Sequence, residues 1–128
     1  MKDLSGVAVE GIWVSDSRSS FAVISGGFIF VSGQGGFDPD GRIVGPHFLA
    51  QARQTFENLR LVLEAAGSSL DRVVRLGIFL TDMRYLSELR DVIAEYHSEA
   101  YPADSAVGVT ALAQREALVE IDAIARVG

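Results

Sequence analysis

Two stretches of the chain repeat hydrophobic residues every three or four positions, the spacing that places them on one face of a helix. The first stretch carries Leu49, Ala52, Phe56, Leu59, Leu63 and Ala66. The second carries Leu86, Leu89, Ile93 and Tyr96. Gly67 follows the first stretch, where a glycine that caps a helix C-terminus is expected. Asp82 is predicted to cap the second helix and Pro102 to end it.

The other hydrophobic segments have the pattern of β-strands. Residues 6–14, "GVAVEGIWV", alternate as a half-buried strand does, and residues 21–34 contain two strands joined by a tight turn at Ser25-Gly26-Gly27. Residues 72–80 are dense in β-branched side chains, which indicates a central strand. Two last strands are predicted at about residues 105–110 and 117–126. The order β-β-β-α-β-α-β-β favours a mixed sheet with both helices on one face, an α+β fold.

The last predicted strand has two different faces. Its apolar residues Val119, Ile121 and Ala123 are expected to face the helices. Glu120 and Asp122 then lie on the opposite, uncovered face. Because that face is apolar elsewhere, part of it is expected to pack on another subunit.

Length and charge narrow the class of protein. The 128 residues fit a single domain spanning 1–128, and 48% of them are hydrophobic, enough for a core and one subunit interface. A net charge of −6 argues against nucleic-acid and membrane-surface binding, and no apolar run is long enough to cross a bilayer. The chain has no cysteine, and neither His47 nor His97 has neighbours that complete a metal site. We therefore expect a cytoplasmic protein without metal or cofactor.

Five motifs in the same order resemble the Rid family of reactive intermediate deaminases, also called the YjgF group. They are "FVSGQ" (30–34), "QARQTFENLRLVLEAAG" (51–67), "VVRLGIFLTDM" (73–83), "YPADSAVGV" (101–109) and "ALVEIDAIA" (117–125). The resemblance implies a chorismate-mutase-like fold and a barrel-like homotrimer with small-molecule substrates in clefts between subunits. It also implies hydrolysis of 2-imino or 2-enamino acids to 2-keto acids and ammonia, with an arginine that clamps the substrate carboxylate.

The chain departs from the family pattern at the clamp. Where the family has Pro-Ala-Arg-Ser, this chain has Asp104 in place of the arginine. In the same register a family cysteine becomes Ala106, an asparagine becomes Leu89 and a tyrosine falls near Phe21. A carboxylate about 4 Å from a substrate carboxylate costs on the order of 1–4 kcal/mol, so the usual 2-imino acids are expected to bind poorly.

The residues that match the family pattern define the predicted site. Ser32 and Gly33 are retained and are expected to bind a carbonyl oxygen, and Glu120 is retained where the family positions the attacking water. Asp104 and Glu120 are predicted as a catalytic acid–base pair, because neighbouring carboxylates separate in pKa. The substrate-binding prediction adds Phe21, Leu89 and Ala106. The alternative for Asp104 is a turn cap or an ion pair with an arginine such as Arg18 or Arg115.

These observations predict a divergent Rid-family enzyme that performs acid–base chemistry on a small imine, enamine or conjugated carbonyl compound. Hydrolytic deamination, tautomerisation and addition all fit the predicted site. One alternative is a non-catalytic regulatory trimer that binds a metabolite. Another is an ordinary imino-acid deaminase that anchors its substrate through a different arginine. The endoribonuclease label that some family members carry has little support in this acidic chain.

Overall fold

A computed structural model describes residues 5–15, 18–98 and 100–128. The strands of this part of the chain are β1 (Ser5–Gly6), β2 (Ala22–Ser25), β3 (Phe28–Gly35), β4 (Val73–Leu80), β5 (Ala103–Gly108) and β6 (Val119–Arg126). The helices are α1 (Phe48–Ala65) and α2 (Leu86–Tyr96), each near a short 3-10 turn, at Leu70–Arg72 and Met83–Tyr85. The strands form one sheet in the order β1-β2-β3-β6-β4-β5, in which β4 and β5 are parallel and the other neighbours antiparallel. The predicted α+β fold with a mixed sheet is confirmed.

The predicted cap residues are confirmed at Gly67 and Asp82, but α2 itself begins at Leu86, after the 3-10 turn that Asp82 caps, and ends at Tyr96, well before Pro102. After α1, Gly67 has φ +80°, and the Ser68 N–H donates to the Leu63 carbonyl, a glycine-capped helix end. Before α2, the Asp82 carboxylate accepts from the Arg84 backbone N–H and caps the 3-10 turn. Leu49, predicted on the buried face of α1, is 37% exposed instead, because Phe48 is the residue of that first turn that enters the core.

The predicted first strand is largely absent from the sheet. Of residues 6–14, only Gly6 belongs to a strand, in the two-residue β1. Trp13 packs edge-to-face on Phe37, with ring centroids 5.5 Å apart, and its indole also lies against Gly41. Val7 and Val9 are half-buried against the core, but Gly11 is exposed and Ile12 is buried, so the alternation predicted for a strand is not maintained.

The helices cover one face of the sheet and leave the other open. In β6, Val119, Ile121 and Ala123 are buried in the core, whereas Glu120 and Asp122 are half-buried on the opposite face. This confirms the predicted division of β6 into two faces. The open face also carries Phe28 and Phe30 of β3, which are 41% and 44% exposed.

Candidate functional site

A cavity of about 120 Å³ lies beside the end of β3. Its lining includes Trp13, Phe21, Ser32, Gly33, Gln34 and Phe37. The register between β3 and β6 shifts between Val31 and Gln34, so Ser32 and Gly33 leave the regular ladder at this point. The structure thus brings three predicted site residues, Phe21, Ser32 and Gly33, to one cavity, which we call the serine cavity.

Glu120 lies next to the serine cavity and depends on Gly33 for its position. A Cβ atom at Gly33 would lie only 2.6 Å from Glu120 Oε2, so the carboxylate occupies space that only a glycine leaves open. Burial raises the pKa of Glu120, and the like charge of Asp122 raises it further. Glu120 therefore keeps its proton to a higher pH than an exposed glutamate does.

Ser32 lines the serine cavity, but both of its hydrogen-bond donors are engaged. Its hydroxyl donates to the Ser20 carbonyl at 2.6 Å, and its backbone N–H donates to the Phe21 carbonyl at 2.9 Å. In this arrangement the Ser32 oxygen keeps lone pairs that accept a hydrogen bond. The predicted role of its hydroxyl as a donor to a carbonyl oxygen is therefore not supported.

Asp104 lies in a separate groove with a partner that the sequence analysis did not name. Its two carboxylate oxygens accept from Nη1 and Nη2 of Arg90 on α2, the second bond being 3.1 Å long. The Asp104 side chain is only 16% exposed and that of Arg90 is 46% exposed. Asp104 is thus the second residue of an edge strand and not a turn cap, and its ion pair is with Arg90 rather than Arg18 or Arg115.

The groove beside this ion pair has a volume of about 340 Å³. It is lined by Arg90, Ile93, Ala94, Tyr101, Pro102 and Asp104, and we call it the arginine groove. Apart from the ion pair, these side chains offer mainly hydrocarbon and aromatic surface. The arrangement suits an apolar group better than a charged one.

The two predicted catalytic carboxylates lie on opposite faces of the sheet. Asp104 is opposite Leu76, which is in turn opposite Ala123, and both of these partners are buried on the helix-covered face. Glu120 is opposite Phe79, which lies an odd number of positions from Leu76 along β4. Because successive residues of a strand point to opposite faces, Glu120 points to the open face. Within one protomer, Asp104 and Glu120 do not form an acid–base pair.

Two other predicted substrate-binding residues belong to the packing of the protomer. Leu89 is fully buried between α2 and the sheet, and this burial does not support the prediction that it contacts substrate. Its place in the apolar stripe of α2 already indicated this packing role. Ala106 lies opposite Ile78 in β5 and packs against the edge of the core.

Two buried polar residues, not predicted from the sequence, hold the loop next to the serine cavity. Gln51 Nε2 donates to the carbonyls of Gly45 and Glu116, at 2.8 and 3.1 Å. Asn58 Nδ2 donates to the carbonyls of Gly35 and Phe37, at 2.9 and 3.0 Å. Both side chains lie on the buried face of α1, and a polar residue within that apolar stripe was the available signal.

Residues 5–15, 18–98 and 100–128 contain neither a metal-binding cluster nor a membrane-spanning helix. No group of three or more His, Asp or Glu residues suited to a metal ion occurs in that part of the chain. Within the same part, no helix has the length and apolar character needed to cross a membrane. His97 lies directly after α2, the end-of-helix position predicted for it.

The chain is a small α+β protein with a glutamate beside a surface cavity. Its similarity to known proteins identifies the family to which it belongs. A family model described as Endoribonuclease L-PSP matches residues 15–127. A RutC family protein of Pyrococcus horikoshii is 42% identical over 107 residues, which are 83% of this chain and 84% of that protein. A 2-iminobutanoate/2-iminopropanoate deaminase of Capra hircus is 36% identical over 107 residues, 83% of this chain and 77% of that protein.

A solved structure gives the same result at the level of the fold. A Rid-family protein of Yersinia pestis, described as of unknown function, superposes with a TM-score of 0.92 and 34% identity, covering 97% of this chain and 99% of that one. The chain therefore belongs to the Rid family, whose members also carry the endoribonuclease L-PSP and RutC names.

Proposed function

We propose that the protein hydrolyses a small imine or enamine to a carbonyl compound and ammonia. The observation that carries this proposal is the Glu120 carboxyl group, which lies against Gly33 beside the serine cavity and has a raised pKa. A group of this kind suits the transfer of protons to and from water and nitrogen. The similarity to a protein named as a 2-imino acid deaminase supports the same class of reaction.

In the proposed reaction Glu120 acts first as a base and then as an acid. The carboxylate takes a proton from a water molecule as its oxygen bonds to the carbon of the C=N group. The nitrogen, protonated from solvent before the attack, takes the electron pair of the C=N bond and becomes the amine of a carbinolamine. Glu120 then returns its proton to this nitrogen as the C–N bond breaks, and the hydroxyl proton of the carbinolamine is released to solvent, which leaves a C=O group and ammonia. The Ser32 oxygen accepts a hydrogen bond from the substrate or from the attacking water.

We further propose that the complete site forms between protomers of a homotrimer. The serine cavity with Glu120 and the arginine groove with Asp104 lie on opposite faces of one sheet, so a single chain does not join them. The exposed Phe28 and Phe30 give the open face an apolar surface suited to burial against a second copy. Light scattering coupled to size-exclusion chromatography tests this directly, since a monomer at working concentration contradicts it.

The experiment that tests the reaction compares Glu120→Gln with Asp122→Asn. An amino-acid oxidase or an amine oxidase generates imines in situ, and a trapping reagent reports how fast they disappear. Glu120→Gln is expected to lower the rate by about 100- to 10,000-fold, the usual contribution of general acid–base catalysis. Asp122→Asn removes the neighbouring carboxylate from the same strand and face, and is expected to retain most of the activity. Absence of any acceleration by the wild-type protein contradicts the proposal and favours a ligand-binding trimer.

Composition supports the remaining parts of the proposal. With a net charge of −6, the protein is proposed to act on small molecules in the cytoplasm, without nucleic acid or a membrane surface as partner. The proposed chemistry uses only proton transfers and water, so no cofactor is included in it. Incubation with a labelled RNA and separation of the products tests the family's endoribonuclease description, and intact RNA is the expected result.

A further inference from the structure

The Arg90–Asp104 ion pair stands at the position where the family resemblance places a carboxylate-binding arginine. We propose that this ion pair, with the apolar arginine groove beside it, selects imine or enamine substrates that carry no carboxylate next to the C=N bond. The inference rests on the proposed function, because it concerns the substrate of that same site. It names a specificity-determining pair of residues on α2 and β5.

The first argument is the charge of the pair. Asp104 engages both Nη atoms of Arg90, and its hydrogen bond raises the pKa of Arg90, so the arginine stays protonated. A lone guanidinium about 4 Å from a substrate carboxylate attracts it strongly. If the Asp104 carboxylate lies about 6 Å from the substrate carboxylate, its repulsion cancels roughly two-thirds of that attraction, because the Coulomb energy falls as the inverse of distance.

The second argument is the geometry of the pair. The Asp104 side chain is 16% exposed, so it is held in the protein and is not free to swing away when a substrate carboxylate arrives. Arg90 is tied to it by two parallel hydrogen bonds, the most specific arrangement between a guanidinium and a carboxylate. A substrate carboxylate therefore has to compete with Asp104 for the same two nitrogen atoms.

The third argument is the rest of the arginine groove. Ile93, Tyr101 and Pro102 offer a hydrocarbon and aromatic surface next to a pair with no net charge. A surface of this kind stabilises an aliphatic or aromatic substituent and gives no advantage to a cation. An unpaired Asp104 carboxylate would favour a cationic ligand. The ion pair removes the preference for cations.

The test uses two imines that differ only in the carboxylate. An amine oxidase converts phenylethylamine to the carboxylate-free imine, and an amino-acid oxidase converts phenylalanine to the corresponding 2-imino acid. The wild-type protein is expected to show at least about a 10-fold higher kcat/KM for the carboxylate-free imine. The double variant Asp104→Arg/Arg90→Ala restores an unpaired arginine on β5 and is expected to reverse this preference.

The control removes another ion pair, which joins Arg53 of α1 to Glu95 of α2. The variant Arg53→Ala/Glu95→Ala is expected to leave the substrate preference unchanged. A wild-type preference for the 2-imino acid overturns the inference, even if the double variant does not fold. A preference for the carboxylate-free imine that persists unchanged in the folded double variant overturns it as well. If the wild-type protein hydrolyses neither imine and matches Glu120→Gln, the proposed function itself fails.

Discussion

Glu120 and Asp104 are two partly buried carboxylates in the same sheet, and the protein treats them in opposite ways. Asp104 has an arginine in bidentate contact, which compensates its charge and ties β5 to α2. Glu120 has the like-charged Asp122 as its charged neighbour, and the pKa of Glu120 is raised by burial and by that neighbour. A compensated carboxylate holds structure and sets the charge of a groove, whereas an uncompensated one is available to move protons.

After Glu120→Gln itself, the largest expected effect comes from disturbing the uncompensated carboxylate through Gly33. In Gly33→Ala the new Cβ lies 2.6 Å from Glu120 Oε2 and displaces the carboxylate from the serine cavity. Because about 1 Å of misplacement lowers a rate by up to about 100-fold, we expect kcat to fall by roughly 10- to 100-fold. Steady-state kinetics on the preferred imine measures it.

Gly77→Ala is the matched control for this variant. Its Cβ overlaps Asp122 Oδ1 and displaces the other carboxylate of the open face. We expect this variant to keep most of the wild-type kcat. Equal losses in the two variants mean that the open face as a whole was disturbed, and they contradict the special role of Glu120.

A smaller effect is expected when the compensated carboxylate loses its partner. Arg90→Ala leaves Asp104 at 16% exposure without its two charged hydrogen bonds, and we expect the free energy of unfolding to fall by about 1–2 kcal/mol. Arg53→Ala breaks a pair whose side chains are 49% and 45% exposed, and we expect it to cause a smaller loss. Urea denaturation of both variants measures the difference. Equal losses would mean that burial of Asp104 does not increase the contribution of its ion pair to the free energy of unfolding.

The smallest expected effect is a pH dependence of the free energy of unfolding caused by the buried basic group His97. His97 is 3% exposed, and burial lowers its pKa below 6.5 while Asp71 partly opposes the shift. Since the unfolded chain binds the proton more readily, the free energy of unfolding should fall as the pH drops from about 6.5 to the lowered pKa. Urea unfolding at several pH values is expected to show this slope in the wild-type protein and in His47→Gln, but not in His97→Gln. A slope unchanged in His97→Gln assigns the proton uptake to another group.

The hydrophobic pattern predicted the elements because it records which face of each one is buried. The 3.6-residue repeat predicted α1 and α2, and the two-residue repeat of β6 predicted the separate faces of Ile121 and Glu120. Gly67 and Asp82 were recognised as cap residues because capping depends on neighbours within a few positions. The family motifs brought Ser32, Gly33 and Glu120 into the candidate site before any geometry was known.

Only the tertiary structure decided which of those residues meet. The partner of Asp104 is Arg90, 14 residues earlier and on a helix, and nothing in the local pattern of either residue indicates the other. Asp104 and Glu120 lie on opposite faces because of the registers of β5 on β4 and of β4 on β6. A register is set by the packing of whole strands, and a slip of one residue exchanges the two faces. The sequence by itself therefore determined both helices, the later strands and the family, but not the structure of residues 6–14. The pairing of the strands decided which carboxylate is compensated and which is available for chemistry.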